Sequence, residues 1–130
     1  MQRVLIGAIG FALLGACASE PARNIQTKMQ RLFQTSKGEP ALATGLKQYE
    51  DGDYASSARN LRAAIDQGLS HRDLVSAYKH LAFINCAAGR ERQCRDEFRQ
   101  ALAIDPAMEL SPAEAGHPIW GPIFRSLKPR

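Results

Sequence analysis

Two stretches of this 130-residue chain repeat, and the repeat constrains its fold more than any other feature. Gly45 stands seven positions before Gly52-Asp53-Tyr54, with Leu61, Ala64 and Ile65 following. Thirty-seven residues on, the pattern returns as Ala82, Gly89, Phe98, Ala101 and Leu102, closed by Asp105-Pro106. Internal periods of about 20–50 residues mark solenoids, in which each unit buries its apolar face against the next. The residues that lengthen the period fall within Asp66–Arg72, between the units.

The spacing and residue types resemble tetratricopeptide repeats, whose usual period is about 34 residues. In the first unit Gly45 takes the small site of helix A, Gly52 the turn and Tyr54 the aromatic after it. Leu61 and Ala64 take the bulky and small sites of helix B. In the second unit Tyr78, Leu81, Ala82, Gly89, Cys94, Phe98, Ala101 and Pro106 match the corresponding places. The first unit departs from the pattern at Ser57, where a small apolar residue is usual, and at Leu69, where Pro is usual. The resemblance implies an all-α fold: a short helix-turn-helix solenoid over residues 40–106 with helical caps. Small residues let paired helices approach, and the turn Gly permits a conformation that other residues resist.

Two repeats bury too little to stand alone, so the flanks are expected to close the ends. Asn24–Thr35 carries a helical stripe of Ile25, Met29, Leu32 and Phe33 and lies in a tether and N-terminal helix over residues 18–39. The C-terminal cap is residues 107–130. Ser111-Pro112-Ala113-Glu114 reads as a capping box with Pro at the first helical position. The two Pro and two Gly of Gly116–Leu127 predict a short turn of helix and a bent apolar segment in place of one straight helix. Ile119, Trp120, Ile123, Phe124 and Leu127 are expected to pack on the open end of the second repeat. Trp120 is read as core, the alternative being an exposed interface anchor.

Residues 1–16 bear Arg3 and the apolar run Val4–Ala16, too short for a spanning helix of about 20 residues. Charge, apolar run and small residues make a secretory signal. Leu14-Gly15-Ala16-Cys17 resembles a bacterial lipobox, which implies cleavage before Cys17 and a covalent lipid on its thiol. Ala18, in place of an Asp, implies the outer membrane, with the fold facing the periplasm. Cys86 and Cys94 then form an even pair in an oxidising compartment. On the repeat template they lie late in helix A and in helix B, so a disulfide is expected; the alternative is two small buried thiols.

The mature chain would carry a mild positive balance with interspersed signs, as in Arg95-Asp96-Glu97-Arg99. No basic stripe with interleaved aromatics occurs, which argues against nucleic acid. His71, His80 and His117 lack nucleophile or acid partners at catalytic spacing, His71 being placed in the inter-repeat loop. Cys-x7-Cys does not fit a zinc site. No enzyme activity, cofactor or metal is expected.

The repeat resemblance implies a partner-binding groove along the A helices, with Leu42, Leu46, Tyr49 and Glu50 from the first and Ser76, Lys79, Phe83, Cys86 and Ala87 from the second. Ala43 and His80 stand where carboxylate-clamping members carry Asn or Arg, so an apolar helix or extended peptide is the expected ligand. Either the groove is open, or Leu42, Leu46 and Phe83 pack on Asn24–Thr35. The lipobox, the two repeats and the tail Leu-Ser-Pro-Ala-Glu-Ala-Gly-His-Pro-Ile-Trp-Gly-Pro-Ile-Phe together resemble small lipoproteins associated with type VI secretion. That implies a non-catalytic scaffold whose partner is a secretion or envelope component. A pilotin for a secretin or pilus and an adaptor for peptidoglycan enzymes are the rival readings. Homodimerisation is also open, because a short solenoid has exposed ends.

Overall fold

The computed structural model describes residues 36–130. The signal segment, Cys17 and the helix expected over Asn24–Thr35 lie outside the described residues. The described chain is all-helical, without strands: α1 (Glu39–Glu50), α2 (Tyr54–Gln67), α3 (His71–Ala87), α4 (Glu91–Ile104), α5 (Pro112–Ala115) and α6 (Trp120–Leu127). α1 and α2 form one hairpin, α3 and α4 a second, and α2 packs on α3 between them.

α2 and α3 begin at side-chain caps that their sequence supplies. Asp53 accepts from the Ser56 N–H at the start of α2 (3.1 Å), and Ser70 from the Asp73 N–H at the start of α3 (3.1 Å). These side chains satisfy backbone donors that the first helical turn leaves unpaired. Gly52 and Gly89 turn the chain between paired helices with φ of +81° and +74°. A Cβ at either position would meet nothing within 4 Å. Glycine is required there by backbone conformation, not by crowding. Crowding acts at Gly38 instead, where a Cβ would fall 2.1 Å from the Ala64 carbonyl oxygen. The Gly38 N–H donates to the Gly68 carbonyl (2.9 Å), tying the start of α1 to the end of α2.

α2 and α4 occupy equivalent stretches, both ends displaced by the repeat offset. α3 does not match α1 so closely: it starts at His71, where the offset alone would start it at Ser76. The added residues extend α3, and His71 is its first residue, not part of a loop. The cap at Ser70 is the physical reason, since it starts the helix a turn early.

Two apolar clusters hold the hairpins. Leu42, Ala58, Leu61 and Ala64 meet Ala77, Leu81 and Ile84 of α3 in the first. Ala82, Phe83 and Cys86 of α3 meet Cys94, Phe98, Ala101 and Leu102 of α4 in the second, which Met108, Leu110 and Phe124 complete. Gly45 and Ser57 bring α1 against α2. A Cβ on Gly45 would stand 3.0 Å from Leu61, and the Ser57 hydroxyl donates to the Gly45 carbonyl (2.7 Å). The polar residue in this small site is therefore buried with its hydrogen bond made.

The expected capping box is present: Ser111 Oγ accepts from the Glu114 N–H, and Glu114 Oε2 accepts from the Ser111 N–H. Beyond it the chain departs from the bent segment expected, because Trp120–Leu127 is a regular helix. Pro122 lies in the first turn of α6, where its missing N–H breaks no intrahelical bond. Gly121 passes so close to α5 that a Cβ would lie 2.3 Å from the Ala115 carbonyl oxygen. Phe124 is buried and Trp120, Ile123 and Leu127 pack on the second cluster, but Ile119 is 47% exposed. Ile119 precedes α6 and is off its apolar stripe.

These two kinds of glycine should separate on substitution. Gly89→Ala should lower stability by about 1–2 kcal/mol, the cost of a left-handed residue. Gly38→Ala and Gly121→Ala should cost more, because backbone must move. Urea unfolding would check the ranking, and the reverse order would contradict the packing described.

Candidate functional site

The face expected to bind partners runs along α1 and α3, which lie side by side. Their ring contacts join it: Tyr49 lies 5.0 Å from His80 and 6.4 Å from Phe83 between centroids. The expected residues divide sharply. Leu42, only 5% exposed, belongs to the first core cluster, and Leu46 packs against that cluster while partly exposed. Tyr49 touches both clusters, and Glu50 is exposed. Phe83 is 2% exposed and Cys86 is also buried.

Leu42, Phe83 and Cys86 are therefore not groove surface. The helix period put them on one strip, but that strip is partly covered by the C-terminal segment. Trp120 stacks on Phe83 with centroids 4.5 Å apart and planes 28° from parallel. His117 stacks on Trp120 (3.3 Å, 3°). The Trp120 Nε1–H donates to the Glu114 carbonyl (2.8 Å), so the indole is satisfied at its polar end. Lys79, expected as a free groove cation, donates to Glu114 Oε1 (2.9 Å) in a largely shielded ion pair.

The Glu114 carboxylate thus holds the Ser111 N–H and Lys79, while its carbonyl accepts from Trp120 and from the His117 N–H. Burial pushes its carboxyl up, but the Lys79 and Ser111 hydrogen bonds and the Lys79 charge outweigh this and hold it below the ordinary value. The sequence showed Glu114 only as the end of a capping box. Its pairing with Lys79 across 35 residues has no local signal.

His80 sits among these groups. Burial lowers its pKa below 6.5, against the raising effects of its hydrogen bond to the Ser76 carbonyl (2.7 Å) and of Glu114 and Glu50; Lys79 lowers it further. Nδ1 carries the proton donated to Ser76, because a carbonyl only accepts.

Cys86 of α3 and Cys94 of α4 pair as a disulfide across the second hairpin, their Cα atoms 5.1 Å apart. Antiparallel helices joined by the Gly89 turn bring the two residues opposite each other. Among the described residues no cluster of His, Cys, Asp and Glu could hold a metal ion. No described helix is long and apolar enough to cross a membrane. No family model matches the chain, and neither the curated proteins nor the solved structures contain a significant match.

The arrangement offers recognition chemistry: a strip of aromatic edges, one half closed by the chain's own tail and the other presenting Leu46, Tyr49 and Glu50. Trp120→Ala should uncover Phe83 and cost about 3 kcal/mol. Amide exchange should then quicken across residues 112–124 while α1 and α2 keep their protection, and unchanged exchange in the tail would contradict the contact. His80 binds a proton more readily unfolded than folded, so its contribution to stability should be fully present above the unfolded value of 6.5 and be lost as pH falls below it. That slope should flatten in His80→Gln, as thermal melts at several pH values would record. Reduction of Cys86–Cys94 should lower stability by about 2–3 kcal/mol through the released unfolded chain.

Proposed function

We propose that this protein is a lipid-anchored, non-catalytic scaffold of the bacterial outer membrane, built on two tetratricopeptide repeats. The observation that carries the repeat reading is the correspondence between the hairpins. Gly45 and Ala82, Gly52 and Gly89, Leu61 and Phe98, and Ala64 and Ala101 fall at equivalent places in helices that recur at the sequence offset. Each pair meets the same demand: close approach, turn, interlayer filling and close approach again. The Cys17 lipobox supports the anchor and the periplasmic side, and a Cys86–Cys94 pairing suits that compartment.

The partner is a protein, recognised by the part of the strip around Leu46, Tyr49 and Glu50 that no described residue covers. Half-buried aromatic and aliphatic groups beside an exposed charge suit an apolar peptide or helix. The tail resemblance makes an accessory of type VI secretion the preferred assignment. The motif's conspicuous Trp120 and Glu114 serve intramolecular packing, so the tail's likeness supports family membership more than it marks a docking point.

A photocrosslinking residue at Leu46 or Tyr49 in the cellular protein would test this. Capture of sheath, baseplate or membrane-complex components is the expected result. Capture of a secretin or a peptidoglycan hydrolase would move the protein to a rival class. Cys17→Ser should release the mature-sized protein from membranes or strand its precursor, and firm acylation of that variant would overturn the anchor.

A further inference from the structure

A second concavity lies where α2 meets the end of α3, adjoining the aromatic strip at Tyr54, whose ring stands 5.4 Å from that of Tyr49. It encloses about 390 Å³, within the range of ligand-binding clefts. Ala58, Ile84 and Ala87 line its apolar floor, and Tyr54, Arg62 and Arg90 line its edge. Among the described residues no acidic side chain lines it. The small alanines make the hollow, since larger residues there would close the gap between α2 and α3.

The edge is built as well as charged. Arg90 is held twice by Asn85: its Nε–H donates to Asn85 Oδ1 (3.0 Å) and its backbone N–H to the Asn85 carbonyl (2.9 Å). Asn85 is 1% exposed, so a buried amide fixes the guanidinium stem while the terminal nitrogens stay available. The Asn85 Nδ2 group beneath has no acceptor. Arg62 acts on the half-buried Glu97 of α4 without forming a salt bridge to it. Neither Arg62 nor Arg90 is in a salt bridge among the described residues. Tyr54, 46% exposed, adds a hydroxyl and an aromatic edge.

We infer that this groove binds an acidic, apolar segment of a partner protein, one aliphatic side chain seated on the alanine floor and a flanking Asp or Glu carboxylate held by Arg62 and Arg90. Two guanidiniums with no acid among the lining residues select a carboxylate, and they bind it in charge-assisted hydrogen bonds. The shallow floor accepts a methyl-bearing side chain and no whole helix. The inference rests on the scaffold reading only in taking a protein segment as ligand; the surface adjoins the Leu46–Tyr49 strip at Tyr54, and its floor and arginines lie outside that strip.

The test uses the full mature chain and an array of dodecapeptides combining Leu or Val with Asp or Glu, each paired with its Lys-substituted counterpart. Binding is read by fluorescence anisotropy and mapped by backbone NMR. Acidic peptides should bind and shift Tyr54, Ala87 and Arg90. Arg62→Glu with Arg90→Gln should weaken binding by about tenfold or more. Ala87→Trp should do the same by filling the floor; should that variant lose its helical spectrum, Arg62→Glu, an exposed change, decides alone. Equal binding of Lys-substituted peptides, binding unaffected by Arg62→Glu, or no binding across the array would each overturn the inference. Shifts confined to Leu46 and Tyr49 would overturn it too, while leaving the strip as the partner site.

Discussion

Everything in the described structure leans on the burial of α3. Six consecutive residues, Leu81 to Cys86, are withdrawn from solvent, which an amphipathic surface helix never does. Leu81 and Ile84 face the first hairpin, and Ala82, Phe83 and Cys86 face the second. α3 is therefore the shared wall of two small cores, neither of which could persist alone. Ala77 and Ala82 keep that wall thin enough for neighbouring helices to approach it. Asn85, the one polar residue in the stretch, has its carbonyl oxygens engaged by Arg90, which ties the wall to the turn that follows.

The C-terminal segment solves a problem that a two-hairpin array creates. The outer side of the second hairpin would expose Phe98 and Leu102 to water, and Phe124 covers it, 5.3 Å from Phe98. Lys128 fastens the end of α6 to the Met108 carbonyl and Glu109. The same segment reaches round to the α1–α3 strip through Trp120 and Glu114. Stabilising the fold and narrowing the strip are thus one structural act. Among the described residues it leaves the first hairpin's part of the strip and the arginine-edged hollow beside α3 as the two surfaces proposed for recognition.

Much of this was legible because it is local. Ser111 to Glu114 announced a capping box within four residues, and Gly52 and Gly89 announced turns that the +81° and +74° backbone angles require. The Cys86–Cys94 pairing followed from two helices folded back at a glycine. Ser57 was legible only as an anomaly, since its hydrogen bond runs to Gly45 on another helix. The groove assignment failed at Phe83 and Lys79 because helix periodicity says which residues share a face, and not what lies on that face. The tail helix was missed for a related reason. Pro and Gly counts argue against a helix in general, whereas Pro122 in a first turn and Gly121 against Ala115 favour this one.

By itself the sequence determined the helical class, the two-hairpin register and the turns, because hydrophobic period, capping and turn chemistry act over a few residues; it left the cysteines either bridged or as two buried thiols. The tertiary structure alone decided that Glu114 holds Lys79, that Trp120 covers Phe83 and that Arg62 and Arg90 border one hollow. Those contacts join residues far apart in the chain, and they depend on helix placement to within about an ångström, which side-chain packing sets and no local pattern encodes.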